Sequence, residues 1–204
     1  MENLNWTYIL FLIVSIPASI TLFTIAKKDN SLSSLFFGLS LISFLVGMLI
    51  EVSVIKDNGH GREWGDLLAI TFILSALFIK TRNSKPVFAR FPLYLTLMPF
   101  LVLFFYPFVV NAEIVKELLQ ITYQGAAIIV GILVISINHY LYKGRGLLLF
   151  SSILFLTSYI LFWFFDASIP QLSQLLGKII FSFGIIIAAI GFKKISDSKN
   201  TQNI

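Results

Sequence analysis

The sequence predicts an all-α polytopic membrane protein, a bundle of seven transmembrane helices with the N-terminus outside and the C-terminus cytoplasmic. Three observations predict it. Of 204 residues, 57% are hydrophobic and 12% are charged, about half the charge of an ordinary soluble domain, and the mean hydropathy is +0.90. The charges sit as short punctuation between long apolar runs, as in a chain that crosses a bilayer repeatedly. The basic residues fall mainly on every second connection.

The predicted spans are 6–26, 31–55, 64–79, 91–110, 118–142, 146–165 and 169–192. The first follows Glu2 and no Lys or Arg, so it reads as a retained helix rather than a cleaved leader. It contains Pro17, and the fourth span contains Pro99, both expected to kink their helices. The second carries Ser40, Ser43, Gly47 and Glu51 at helical spacing. The third is short and holds Asp66; it lengthens if the helix starts nearer Asn58. Along the fifth, Glu113, Glu117, Gln120 and Gln124 share one face, and the sixth carries Ser152, Tyr159 and Asp166 seven residues apart. In the seventh, Gln171, Gln174, Lys178 and Ser182 form a polar line beside Gly177, Gly184 and Gly191, small residues that permit close helix packing. Residues 1–195 read as a single domain and 196–204 as a polar, frayed tail.

Orientation follows from the Lys and Arg positions. With the N-terminus outside, eleven of the fifteen basic residues face the cytoplasm, among them Lys27, Lys28, Lys80, Arg82, Arg145, Lys193 and Lys194. The reverse orientation leaves Lys56, Arg62 and Lys116 on that side. The small, loop-poor chain suits a bacterial inner membrane.

Other classes fall away. The net charge of +5 is distributed between spans rather than along a face, so nucleic acid is not an expected partner. The absence of cysteine excludes disulfides and thiolate chemistry. No His, Asp and Glu have metal-ligand spacing and no Ser pairs with a His, so no metal, cofactor or catalytic set is expected, and an enzyme is not the leading class. His60 reads as a solvated residue of the turn 58–62, His139 as interfacial, and Trp6, Trp64 and Trp163 as an aromatic belt.

Ionisable residues inside spans are costly and face the bundle interior. Glu51, Asp66, Gln120, Gln124, Gln174 and Lys178 converge on the external half, with Lys178 expected to pair with Asp66 or Glu51. This predicts a transporter or ligand-binding protein with a polar site open to the external side, taking a small molecule or ion. The same residues also fit an ion pair that fixes helix register. The alternatives are a seven-helix receptor or sensor, or a structural subunit with a membrane-protein partner beside the bilayer itself.

At scattered positions of three helices the chain resembles the microbial rhodopsins. Lys178-Ile179-Ile180-Phe181 is similar to their seventh helix, Glu63-Trp64 to the carboxylate-tryptophan pair of the third, and Tyr159 and Trp163 have the spacing of the sixth. The resemblance implies a retinal Schiff base on Lys178. The chain departs from the family at Gln174, where an Asp is usual, at His60 in place of an arginine, and at Leu156 and Ile160 in place of a tryptophan and a proline.

Overall fold

The computed structural model describes residues 6–53, 60–84, 89–137, 145–165 and 170–202. They form seven α-helices: α1 Trp6–Lys28, α2 Leu32–Ser53, α3 His60–Ser84, α4 Leu101–Val109, α5 Glu113–Ile137, α6 Arg145–Phe164 and α7 Pro170–Gln202. A 3-10 helix, Leu93–Phe100, leads directly into α4. Six helices are long and apolar enough to cross a membrane, and Leu93–Val109 forms a shorter apolar segment. The chain is therefore a polytopic membrane protein.

The turn between α1 and α2 shows how local chemistry sets the up-and-down course. Asn30 takes a positive φ of 48°, a conformation Asn tolerates better than most residues. The Ser31 amide donates to the Ala26 carbonyl at 3.0 Å, closing the end of α1. Ser31 then caps α2, accepting from the Ser34 amide at 3.3 Å.

Helices α3 and α7 reach well beyond their predicted ends, and α5 begins at Glu113 rather than at Leu118. The first turn of α3 includes Gly61, Arg62 and Glu63, which the sequence placed in a loop or its edge. Glu63 suits a helix N-terminus, and Arg62 and Asp66 stand one turn apart. Helix α7 continues to Gln202 through the stretch expected to fray. Ser196 is buried and donates to Asp29 Oδ1 at 3.0 Å, and Lys28 pairs with Asp197 at 3.6 Å, which ties this extension to the end of α1.

The fourth span differs in kind. Pro99 and Pro107 lack the amide hydrogens that a continuous α-helix would use. The first half winds as a 3-10 helix of 8 residues and the second as an α-helix of 9. Because a 3-10 helix rises faster per residue, the segment still extends about 30 Å.

The long helices pack in a closed ring: α1 against α2, α2 against α3, α3 against α5, α5 against α6, α6 against α7, and α7 back against α1. The 3-10 segment and α4 lie outside this ring, against α3 and α5. Small residues set the closest seams. At the α2–α3 crossing, a Cβ placed on Gly65 would lie 2.5 Å from the Gly47 Cα. On α6 and α7, Ser151 donates to the Gly184 carbonyl at 2.8 Å and Ser158 to the Gly177 carbonyl at 2.9 Å. Phe155 and Phe162, also seven residues apart, cover the same two glycines. The predicted glycine seam thus meets a serine-phenylalanine seam through Ser151, Phe155, Ser158 and Phe162.

A candidate ligand cavity inside the helix ring

The six-helix ring encloses an elongated cavity of about 410 Å³, within the range of small-molecule sites. All six ring helices contribute to its wall; the 3-10 segment and α4 contribute none of its lining.

The middle of the cavity is aromatic and aliphatic. Phe181 of α7 is its hub, with ring centroids 5.9 Å from Phe11, 5.7 Å from Phe44 and 5.0 Å from Phe155. Four serines reach the wall, and each hydroxyl donates to a backbone carbonyl: Ser40 to Phe37, Ser151 to Gly184, Ser152 to Leu148 and Ser158 to Gly177. Their hydrogens are thereby committed to backbone carbonyls, within a helix for Ser40 and Ser152 and across the α6–α7 seam for Ser151 and Ser158, as suits an apolar medium.

One end is polar. Arg62 and Asp66 of α3, Gln124 of α5, Tyr159 and Trp163 of α6 and Lys178 of α7 all line it. Arg62 Nε lies 3.8 Å from Asp66 Oδ2. Trp163 Nε1 donates to Gln124 Oε1 at 2.7 Å, and the Tyr159 hydroxyl donates to the Ile121 carbonyl at 2.9 Å. Gly125 makes room for that hydroxyl, because a Cβ there would approach it to 3.0 Å. These bonds fix the two aromatic side chains and Gln124 between α5 and α6.

Of the residues the sequence singles out, the structure brings Asp66, Gln124 and Lys178 to one cavity. Gln120 goes elsewhere. One turn before Gln124, its Nε2 lies 3.5 Å from the Tyr106 hydroxyl, in a cluster between the ring and α4. Glu51 and Gln174 stand on described helix backbone, but their side chains lie outside the described residues. So do Asp166, His139 and the side chain of His60. Trp163, read as part of an aromatic belt, is instead a wall residue bonded to Gln124. Arg62 was missed because it was assigned to a turn; Lys80, which also lines the cavity, because it was counted only as a cytoplasmic charge.

The polar cluster under α4 is separate from this lining. Lys116 Nζ lies 2.7 Å from Glu63 Oε1, and the fully buried Tyr106 donates its hydroxyl hydrogen to Glu63 Oε2 at 2.7 Å. Trp64 packs edge-on against Tyr106, with centroids 4.9 Å apart. Glu63 and Asp66 therefore serve different places although they are one turn apart: Glu63 holds α4 to the ring, and Asp66 lines the cavity. Tyr123 adds a second tie, donating to the Pro99 carbonyl at 2.8 Å.

Among the described residues, no group of three His, Cys, Asp or Glu could hold a metal ion. Comparison of the chain with family models, with curated proteins and with solved structures finds no match.

Proposed function

We propose that this polytopic membrane protein binds one elongated, mainly apolar small molecule inside the ring of α1, α2, α3, α5, α6 and α7. The single observation that carries this reading is the cavity itself, apolar along its length and lined at one end by Arg62, Asp66, Gln124, Trp163 and Lys178. An apolar channel with a few convergent polar groups is the usual form of a small-molecule site. Charged residues inside a membrane bundle are costly enough to mark such sites by default.

The accompanying topology is seven crossings, with the N-terminus outside and the polar end of the cavity towards the external side of a bacterial inner membrane. The distribution of the basic residues supports the orientation, and the length of the Leu93–Val109 segment supports its counting as a crossing. Transport is an extension of the same reading, favoured by the reach of the cavity from Asp66 to Lys80.

The test is thermal stability of the purified protein in detergent, wild type against Lys178→Ala and Lys178→Met, across a panel of long-chain alcohols, carboxylates and retinal. Stabilisation of the wild type by one compound, lost in folded variants, supports a site at Lys178. Loss of folding in Lys178→Ala, rescue by Lys178→Met and indifference to every compound would instead assign Lys178 to structure.

A sensor that carries an aldehyde chromophore on Lys178 is the second reading, favoured by the presence of Lys178, Tyr159 and Trp163 on one cavity wall. It predicts visible absorbance on addition of all-trans retinal, abolished in Lys178→Ala.

A further inference from the structure

The cavity has a second charged pole. Lys80 lies fourteen residues after Asp66 on α3 and lines the same cavity. On α7, Phe192 lies fourteen residues after Lys178, and Lys80 Nζ sits 5.3 Å from its ring centroid. Two helices therefore measure the distance between the poles independently, at roughly 21 Å. A cavity of about 410 Å³ running over that length is long and narrow, a shape that suits an extended chain.

The poles differ in charge. At the first, Asp66 stands 3.8 Å from Arg62, and Lys178 lines the same end, a mixed set that offers a carboxylate acceptor as well as cationic donors; at the other, Lys80 is the charged residue in the lining. Around the Lys80 pole, the ends of α1 and α3 carry Lys27, Lys28 and Arg82, and α7 carries Lys193 and Lys194 directly after Phe192. The acidic residues Asp29 and Asp197 at this end are engaged by Ser196 and Lys28. This end attracts anions. Between the poles the serine hydroxyl hydrogens are committed to carbonyls, which suits an unsubstituted chain.

We propose that the ligand is a single long-chain carboxylate bearing an uncharged hydrogen-bonding group at its far end. Its carboxylate sits at Lys80, its chain runs past Phe181, and its terminal hydroxyl or carbonyl reaches Asp66, Gln124 and Lys178. The proposal rests on the reading of the cavity as a ligand site, and it deepens that reading by naming the ligand's class and direction.

The test is equilibrium binding to the full chain in lipid nanodiscs, with palmitate, ω-hydroxypalmitate and hexadecanol as probes. Palmitate is expected to bind about tenfold more tightly than hexadecanol, since a charge-assisted contact is stronger than a neutral one. The ω-hydroxyl is expected to tighten palmitate further. Lys80→Gln removes the preference for carboxylate over alcohol, and Lys80→Arg retains it. Asp66→Asn or Lys178→Met weakens the preference for the ω-hydroxyl and leaves the carboxylate preference intact. Equal binding of palmitate and hexadecanol, or a carboxylate preference that survives Lys80→Gln, overturns the inference while leaving the ligand site standing. So does a terminal hydroxyl without effect. If none of the three probes binds, the inference falls; if retinal and the other compounds of the wider panel also fail to stabilise the protein, the site reading falls with it.

Discussion

Ser158 donates its hydroxyl hydrogen to the carbonyl of Gly177 at 2.9 Å, one residue before Lys178. This bond and its counterpart from Ser151 to Gly184 hold α6 against α7 along a seven-residue repeat. The seam fixes the depth of Lys178 relative to Tyr159 and Trp163 on the facing helix. Without a water-driven hydrophobic effect between helices, such close contacts and interhelical hydrogen bonds supply much of the association energy.

Ser158→Ala is expected to lower stability by about 1 kcal/mol, the ordinary worth of such a bond in a membrane bundle. Gly184→Val should do more. A Cβ at Gly184 would lie 2.6 Å from Phe155 Cε1, so the phenyl ring must swing away, and it lies on the cavity wall. Loss of ligand-induced stabilisation alongside lowered thermal stability is the expected pair of effects, read in one thermal-melt series.

The α2–α3 crossing offers a sharper contrast. At Gly65 the obstructing atoms are backbone: the Gly47 Cα at 2.5 Å and the Ser43 carbonyl oxygen at 2.9 Å. At Gly131 the nearest neighbour is the Leu77 side chain at 3.7 Å. Gly65→Ala should therefore separate the two helices and cost about 3 kcal/mol or more, beyond the usual range for one substitution. Gly131→Ala should be within about 0.5 kcal/mol of wild type. Comparable unfolding midpoints for the two variants would refute the close crossing.

The clamp on α4 predicts coupling between Glu63 and Lys116. Their side chains are 23% and 15% exposed, so the pair is largely withdrawn from solvent. Lys116→Met removes the cation 2.7 Å from the Glu63 carboxylate and should cost about 3 kcal/mol. Glu63→Gln with Lys116→Met should recover part of that loss. A double-mutant cycle with a coupling energy near zero would show that the pair does not hold α4 in place.

The proposed N-out topology predicts a simple labelling pattern. Natural cysteines are absent, so single cysteines can be introduced into an unmodified background. In intact bacterial cells, a membrane-impermeant thiol reagent should label Asn111→Cys, in the exposed turn between α4 and α5, and spare Lys194→Cys. The opposite pattern would invert the topology.

The sequence was most informative where the signal is collective. Long apolar runs locate the spans, and Gly177 and Gly184 at seven-residue spacing mark a tight seam. It was least informative where two residues on one helix part company. Gln120 and Gln124 lie on the same face by spacing, yet Gln124 bonds Trp163 on the cavity wall while Gln120 approaches Tyr106 under α4. The difference arises because α4 leaves the ring and brings its own aromatic residue to the outer side of α3 and α5. Periodicity gives the face of a helix, not which neighbour fills it. Lys80 shows a second limit, since one cation can both orient the chain and line the end of a cavity.

Cysteine accessibility tests the proposed ligand cavity inside the ring most directly. Ile73→Cys and Ile128→Cys place a thiol on the cavity wall, Ile129→Cys on the lipid-facing side of α5, and Leu67→Cys in the closed core of α3. A small water-soluble thiol reagent is expected to modify the two cavity cysteines faster than the one at Leu67, and ω-hydroxypalmitate is expected to protect them without affecting Ile129→Cys. Cavity cysteines as inert as Leu67→Cys, with no compound changing their rate, would contradict the proposed cavity.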